Sequence, residues 1–420
     1  MAQKSKQWAA IIMMIALFAM IAFVTNLCSP MATIVKNQFG ASELAGQIGN
    51  YANFIAYLVM GIPSGMLIAK LGYKKTALLA LIVGIVGIVF EYLSGVVGSY
   101  VIYLVGAFIS GLCMCMLNTV VNPLLNVLGG GGKTGNQLIQ IGGAANSAAA
   151  VAVYILMGAL IGEVTKSTGI SDATPALIIA GVIFVIAFVI LLFTKIEEPE
   201  QAKVELSLIT GALKFRQLSL GALAIFLYMS VEVGTPTYMI SYLQTPEVGL
   251  SAGVAGLIAS VYWLMMFVGR SIGGSIGGKV SSRAMVSTVA TAAIALLLFG
   301  IFAPETMKVT VIGIDWGNLE VIYPQVPVCV LAFILVGLCT SVMWGGIFNM
   351  AVEGLGKYTA AASGIFMTMV FGSAVMVGLQ AWVADIVGYL YSYFIPVACA
   401  GYILFYALVG SKVKKVDTPE

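Results

Sequence analysis

Along the whole chain, runs of about twenty apolar residues alternate with short polar breaks. That spacing predicts membrane-spanning helices, because a hydrocarbon core about 30 Å thick takes roughly 20 helical residues to cross. Twelve spans are predicted, at 10–33, 48–69, 76–95, 100–122, 137–162, 175–194, 218–243, 252–278, 284–303, 326–350, 360–386 and 390–411. The longest polar break between spans, TKIEEPEQAKVELSLITGALKFRQ at 194–217, divides them six and six. The pattern therefore predicts an all-α membrane protein with a first half over 1–194, a linker over 195–217 and a second half over 218–420. The first span has no small-residue cleavage site and is expected to be retained.

Composition agrees: 60% of the 420 residues are hydrophobic and 9% charged, where a soluble domain carries about 25%. Lysine and arginine then set the orientation, since positive loops stay cytoplasmic. Sixteen of them, Lys70 and Lys74 included, fall on the side of the chain termini, and three, Lys36, Lys166 and Lys308, on the other. Both termini are thus expected in the cytoplasm, in a bacterial inner membrane. The net charge of +3 reflects this topology and argues for no nucleic-acid partner. The six cysteines lie in apolar segments and are read as small buried thiols. There is no histidine, no nucleophile with a base and no metal-ligand spacing, so neither an enzyme nor a resident cofactor is expected. The run GGGGKTGN at 129–136 lacks a phosphate loop's first glycine, Val127 standing there. It is read as a turn between spans.

The two halves echo each other. GMLIAKLGYK at 65–74 aligns with GSIGGKVSSR at 274–283, each closing the second span of its half, and GLC recurs at 111–113 and 337–339. Parallel six-span halves with a site between them resemble the major facilitator transporters, although the aspartate usual in their signature loop is replaced by Ala69. A finer resemblance lies in YMSVEVGTPTY, YWLMMFVGRSIGG, NMAVEGLGK and NPLLNVLG. These segments are similar to the fucose/galactose/glucose permease branch, whose members carry hexoses or deoxyhexoses coupled to protons or, in some animal relatives, sodium. The resemblance implies a sugar carrier. The fucose permease type also has an aspartate in the first span and a glutamate before the fourth-span N-P. Here the fourth-span position holds Asn118, and the first span offers Asn26, Ser29 and Thr33.

Charges inside the spans are few and costly, roughly 2.5 to 3.5 kcal/mol each even on lenient scales. Glu232 is expected to bind sugar or a cation. Pro236 follows it by four residues and frees the Glu232 carbonyl, implying a bend. Helix rise places Glu232 roughly 20 Å, and Arg270 roughly 12 Å, from the terminus-bearing side. Arg270 is accordingly expected to pair with Glu353 at the inner mouth, with Lys70 and Lys74 as further gating or structural residues. Glu91 and Asp385 are read as interfacial. Sugar recognition needs hydroxyl partners and aromatic faces, for which the candidates are Asn53, Tyr57, Asn118, Asn122, Gln137, Gln140, Asn146, Glu232, Trp263 and Asn349. A coupling cation would draw on Glu232 or on the oxygens of Asn26, Thr33, Asn118 and Asn122. The expectation is a monomeric secondary transporter that imports a hexose-like sugar with sodium or a proton. Its rivals are an uncoupled facilitator and a sugar sensor that does not transport.

Overall fold

The computed structural model describes residues 7–413 apart from 41–45, 47, 130–131, 163, 165–166, 197, 199–205, 277–279 and 356–357. Twelve of its helices are long and apolar enough to cross a membrane. They are α1 Trp8–Phe39, α2 Ile48–Leu71, α3 Tyr73–Val97, α4 Tyr100–Leu128, α5 Gly132–Ile161, α6 Thr174–Phe193, α7 Arg216–Leu243, α8 Ala252–Ile276, α9 Ser282–Phe302, α10 Cys329–Val352, α11 Ala361–Val387 and α12 Tyr389–Gly410. All twelve coincide with predicted spans to within six residues at either end. The chain is a multi-pass integral membrane protein of two pseudo-symmetric six-helix halves. An even number of spans puts the described ends of the chain on one face, and the opposite face is called distal below.

Within the first half α4 packs against α2 and α3, and α1 against α5. The halves meet along two seams, α5 with α8 and α2 with α11. Small residues make such approaches possible where no hydrophobic effect drives helices together. At Gly61 of α2, a methyl group would sit 2.6 Å from the Thr368 backbone nitrogen of α11. No side chain fits there.

Three features depart from the sequence reading. Glu91 is not interfacial: it is buried between α3 and α4 and accepts a hydrogen bond from Ser110 Oγ at 2.8 Å. Gly106 allows α4 to close over it. Most of the glycine run at 129–136 belongs to the first turns of α5, which starts at Gly132, rather than to a turn. The distal connection between α9 and α10 forms a hairpin of four short strands, β1 Lys308–Thr310, β2 Gly313–Asp315, β3 Glu320–Ile322 and β4 Gln325–Pro327, with β1 paired to β4 and β2 to β3. Strands of three residues fall below what alternation in a sequence can signal.

The linker is anchored at its start and holds a short helix, Leu206–Ala212. Glu198 accepts from the backbone N–H groups of Tyr73 and Lys74 at 2.8 and 2.9 Å, capping α3 where its dipole is positive. Lys74 Nζ donates to the carbonyls of Leu192 and Thr194 at 2.9 and 2.8 Å. These bonds tie the start of α3 to the end of α6.

Gly61→Val is expected to overpack the α2–α11 seam at a cost of about 1–3 kcal/mol. A lower midpoint of thermal unfolding in detergent, relative to wild type, would be the readout. An unchanged midpoint would show that the seam has slack.

Candidate functional site

The local geometry of α7 is set by proline. Pro236 lacks an N–H, and just before it the helix widens to a π-turn over Ser230–Gly234. The Tyr262 hydroxyl pins this turn by donating to the Val231 carbonyl at 3.2 Å, and it pairs with Thr340 Oγ1 at 3.0 Å. Glu232 stands in the widened turn.

The carboxylate faces a cavity of ≈ 130 Å³ bounded by both halves. The first half contributes Thr25, Asn26, Tyr57, Asn118, Asn122 and Asn146, with Phe18 and Phe54; the second contributes Glu232, Trp263, Arg270 and Trp344, with apolar side chains of α7 and α11. Amides and hydroxyls thus line one wall and two indoles the other.

Arg270 Nη2 lies 3.7 Å from Glu232 Oε1, and the two side chains are 12% and 14% exposed. The pairing of Arg270 with Glu353 expected from the sequence does not occur. Glu353 is exposed at the end of α10, where its carbonyl accepts from Gln217 Nε2 at 3.2 Å. Helix rise separated Arg270 and Glu232 in depth, but two long side chains span the difference. The guanidinium also crosses to the first half, where Nη1 donates to the Gly143 carbonyl at 2.7 Å, to Ser147 Oγ at 2.9 Å and to Asn146 Oδ1 at 3.4 Å. Asn146 in turn donates to the Phe18 carbonyl at 2.8 Å. One chain of contacts therefore links α7, α8, α5 and α1.

The other asparagines use their amide nitrogens inside the protein. Asn26 donates to the Ala22 carbonyl at 2.8 Å, Asn118 to the Tyr57 hydroxyl at 2.9 Å and Asn122 to the Asn118 carbonyl at 3.0 Å. All three residues also border the cavity. Two buried atoms at the cavity wall make no hydrogen bond within the protein: Trp263 Nε1, on a side chain 9% exposed, and Thr25 Oγ1. A buried N–H or hydroxyl without a partner costs about 1–3 kcal/mol.

Of the predicted sugar candidates, Tyr57, Asn118, Asn122, Asn146, Glu232 and Trp263 line the cavity. Asn53 does not: it is fully buried where α2 meets Gly111 of α4. Asn349 is exposed on α10. Gln140 packs on Gly274 and Gly345 outside the lining, and the Gln137 side chain lies outside the described residues. Thr33 borders a separate small void nearer the distal face, so it cannot join Asn26, Asn118 and Asn122 around one cation. Lys70 is exposed at the end of α2. Thr25, one residue before Asn26, was missed as a site residue; Trp344, one aromatic candidate among several, also lines the cavity.

A family model described as Major Facilitator Superfamily matches residues 13–378. A glucose/galactose transporter of Brucella abortus (biovar 1, strain 9-941) is 26% identical over 403 residues, covering 94% of this chain and 92% of the relative. The L-fucose-proton symporter of Escherichia coli (strain K12) is 22% identical over 424 residues, covering 94% and 92%. The crystal structure of the E. coli fucose:proton symporter superposes with a TM-score of 0.74 at 20% identity, covering 97% of this chain and 100% of that one, which shows a shared fold.

Arg270→Leu is expected to cost about 3–5 kcal/mol because it strands a buried carboxylate. Glu232→Gln should cost less, since Arg270 keeps its acceptors on α5, and the double variant should recover much of the Arg270→Leu loss. Thermal unfolding of the four proteins gives the coupling. Simple additivity would mean that the two side chains do not support each other.

Proposed function

The chain belongs to the Major Facilitator Superfamily, and on that footing we propose that it is a secondary active transporter that imports a hexose-like sugar by alternating access, coupled to a cation. The observation that carries the reading is the cavity wall itself. Thr25, Asn26, Asn118, Asn122 and Trp263 border one space with Trp344, and two of them, Trp263 and Thr25, carry a polar atom with no hydrogen bond inside the protein. Hydroxyl partners on one side and flat apolar faces on the other suit a sugar ring. The names of the relatives, a glucose/galactose transporter and a fucose-proton symporter, point the same way.

The carboxylate next to Arg270 supports coupling. Two unit charges 4 Å apart attract by about 4 kcal/mol at an effective dielectric of 20. Protonating Glu232 cancels that attraction and leaves Arg270 held by α5 alone, which changes the contacts between the halves. Sodium has a different place, the oxygens of Asn26, Asn118 and Asn122. One observation favours the rival reading of an uncoupled facilitator: Arg270 already neutralises Glu232, so the carboxylate needs no cation to remain in place. The excess of lysine and arginine on the terminus-bearing face supports an inner-membrane orientation with both termini cytoplasmic.

Uptake of labelled hexoses into proteoliposomes tests the proposal. Wild type is expected to accumulate a hexose on an imposed pH or sodium gradient, and Glu232→Gln to retain exchange but lose accumulation. Exchange with no accumulation on either gradient would make the protein a facilitator. Trp263→Phe keeps an aromatic ring but removes the N–H, and should raise KM about 3- to 10-fold, the worth of one neutral hydrogen bond.

A further inference from the structure

The distal hairpin belongs to the second half by its attachments. It joins α9 to α10, and β2 packs on α8, where Gly313 meets Val254. Its turn nevertheless reaches the first half. Trp316, the first residue of that turn, lies against Gly158 of α5, where an added Cβ would overlap the indole. The same ring touches α8, since a Cβ at Gly253 would come within 2.6 Å of Trp316 Cδ1. Two glycines thus form a seat for one indole across the α5–α8 seam.

The turn is built to present this side chain. The Asp315 carboxylate accepts from the backbone N–H of Gly317 at 2.9 Å, from that of Asn318 at 3.4 Å, and from the Asn318 amide at 2.8 Å. These bonds, the Asn318 amide foremost, hold its carboxyl below the usual aspartate range. Trp316 Nε1, by contrast, is buried and makes no hydrogen bond within the protein. Packing alone holds the ring in its seat, so no directed bond has to break for it to leave. Beneath it the seam is loosely filled. A void of ≈ 40 Å³ lies between Thr33, Tyr154, Gly158, Ile240 and Gly253.

We propose that Trp316 is a distal latch: an indole carried by the second half that must leave its glycine seat on α5 before the halves part on that face and open the cavity to it. The inference rests on the alternating-access reading above. The hairpin base moves with α8, so any separation of α5 from α8 at this level breaks the contact with Gly158. A conformer held shut by Trp316 is a tax on binding from the distal side, which loss of the ring removes.

Accessibility of a reporter on Thr33, outside the central cavity, tests this without any cargo. The six native cysteines are buried, so Thr33→Cys supplies the reactive thiol. With an impermeant maleimide added from the distal side, Trp316→Ala should raise the labelling rate severalfold and Trp316→Phe less. Asp315→Ala, which loosens the turn, should act in the same direction. An unchanged rate in a folded Trp316→Ala protein overturns the proposal. Should that variant fail to fold, the pair Gly158→Cys with Trp316→Cys serves instead. Its oxidation should block both hexose uptake and Thr33→Cys labelling, and reductant should restore both. A crosslink that forms and leaves labelling unchanged also overturns the latch. Labelling as expected in a protein that moves no hexose would sink the sugar reading and leave the latch standing.

Discussion

A carboxylate inside an apolar bundle has to be neutralised or bonded, and the rest of this site follows from how that is done for Glu232. Its partner, Arg270, is long enough to do two things at once. One nitrogen faces Glu232, while another donates to three acceptors on α5. Because α5 belongs to the other half, the device that solvates the charge is also a contact between the two halves. A neutral residue at 232 would leave the cavity shape nearly intact and would remove this dependence of the interface on charge.

The backbone supplies the second part. A proline after Glu232 would ordinarily leave an unsatisfied carbonyl in a region without water, a fault costly in a membrane helix. Here the helix accommodates it by widening to a π-turn, and the Tyr262 hydroxyl returns a hydrogen bond to that turn. Tyr262 is also joined to Thr340 on α10. The irregular segment is thereby fixed by neighbouring helices and lines a cavity, the setting in which broken helices are tolerated at this depth.

Periodicity and length made the twelve spans legible, because bilayer thickness dictates both. The branching of polar roles inside the spans was not legible to the same degree. Asn53 and Tyr57 share a helix face by spacing, yet only Tyr57 lines the cavity; Asn53 is fully buried outside the lining, where its backbone carbonyl packs against Gly111 of α4. Spacing fixes a face of one helix and says nothing of which part of that face the cavity reaches. Glu91 was misplaced for a related reason. Distance from a span end suggests an interfacial carboxylate, but Ser110 and Gly106 on α4 provide a buried site for it. Arg270 was assigned to Glu353 by depth alone, which neglects side-chain reach.

The two ends of the α5–α8 seam are held by opposite kinds of chemistry. Toward the terminus-bearing side, Arg270 grips α5 through directed, charge-assisted hydrogen bonds, which depend on what neutralises Glu232. Toward the distal side, Trp316 meets α5 through packing on glycine, with its N–H unused. A polar grip can respond to protonation or to a bound hydroxyl, whereas an apolar wedge responds only to separation. Such an asymmetry gives the seam one end where ligand chemistry can act and another where its consequence is released. It follows that a change of charge at Glu232 should be felt at Gly158 through α5 itself, which touches both Arg270 and Trp316 across the boundary between the halves.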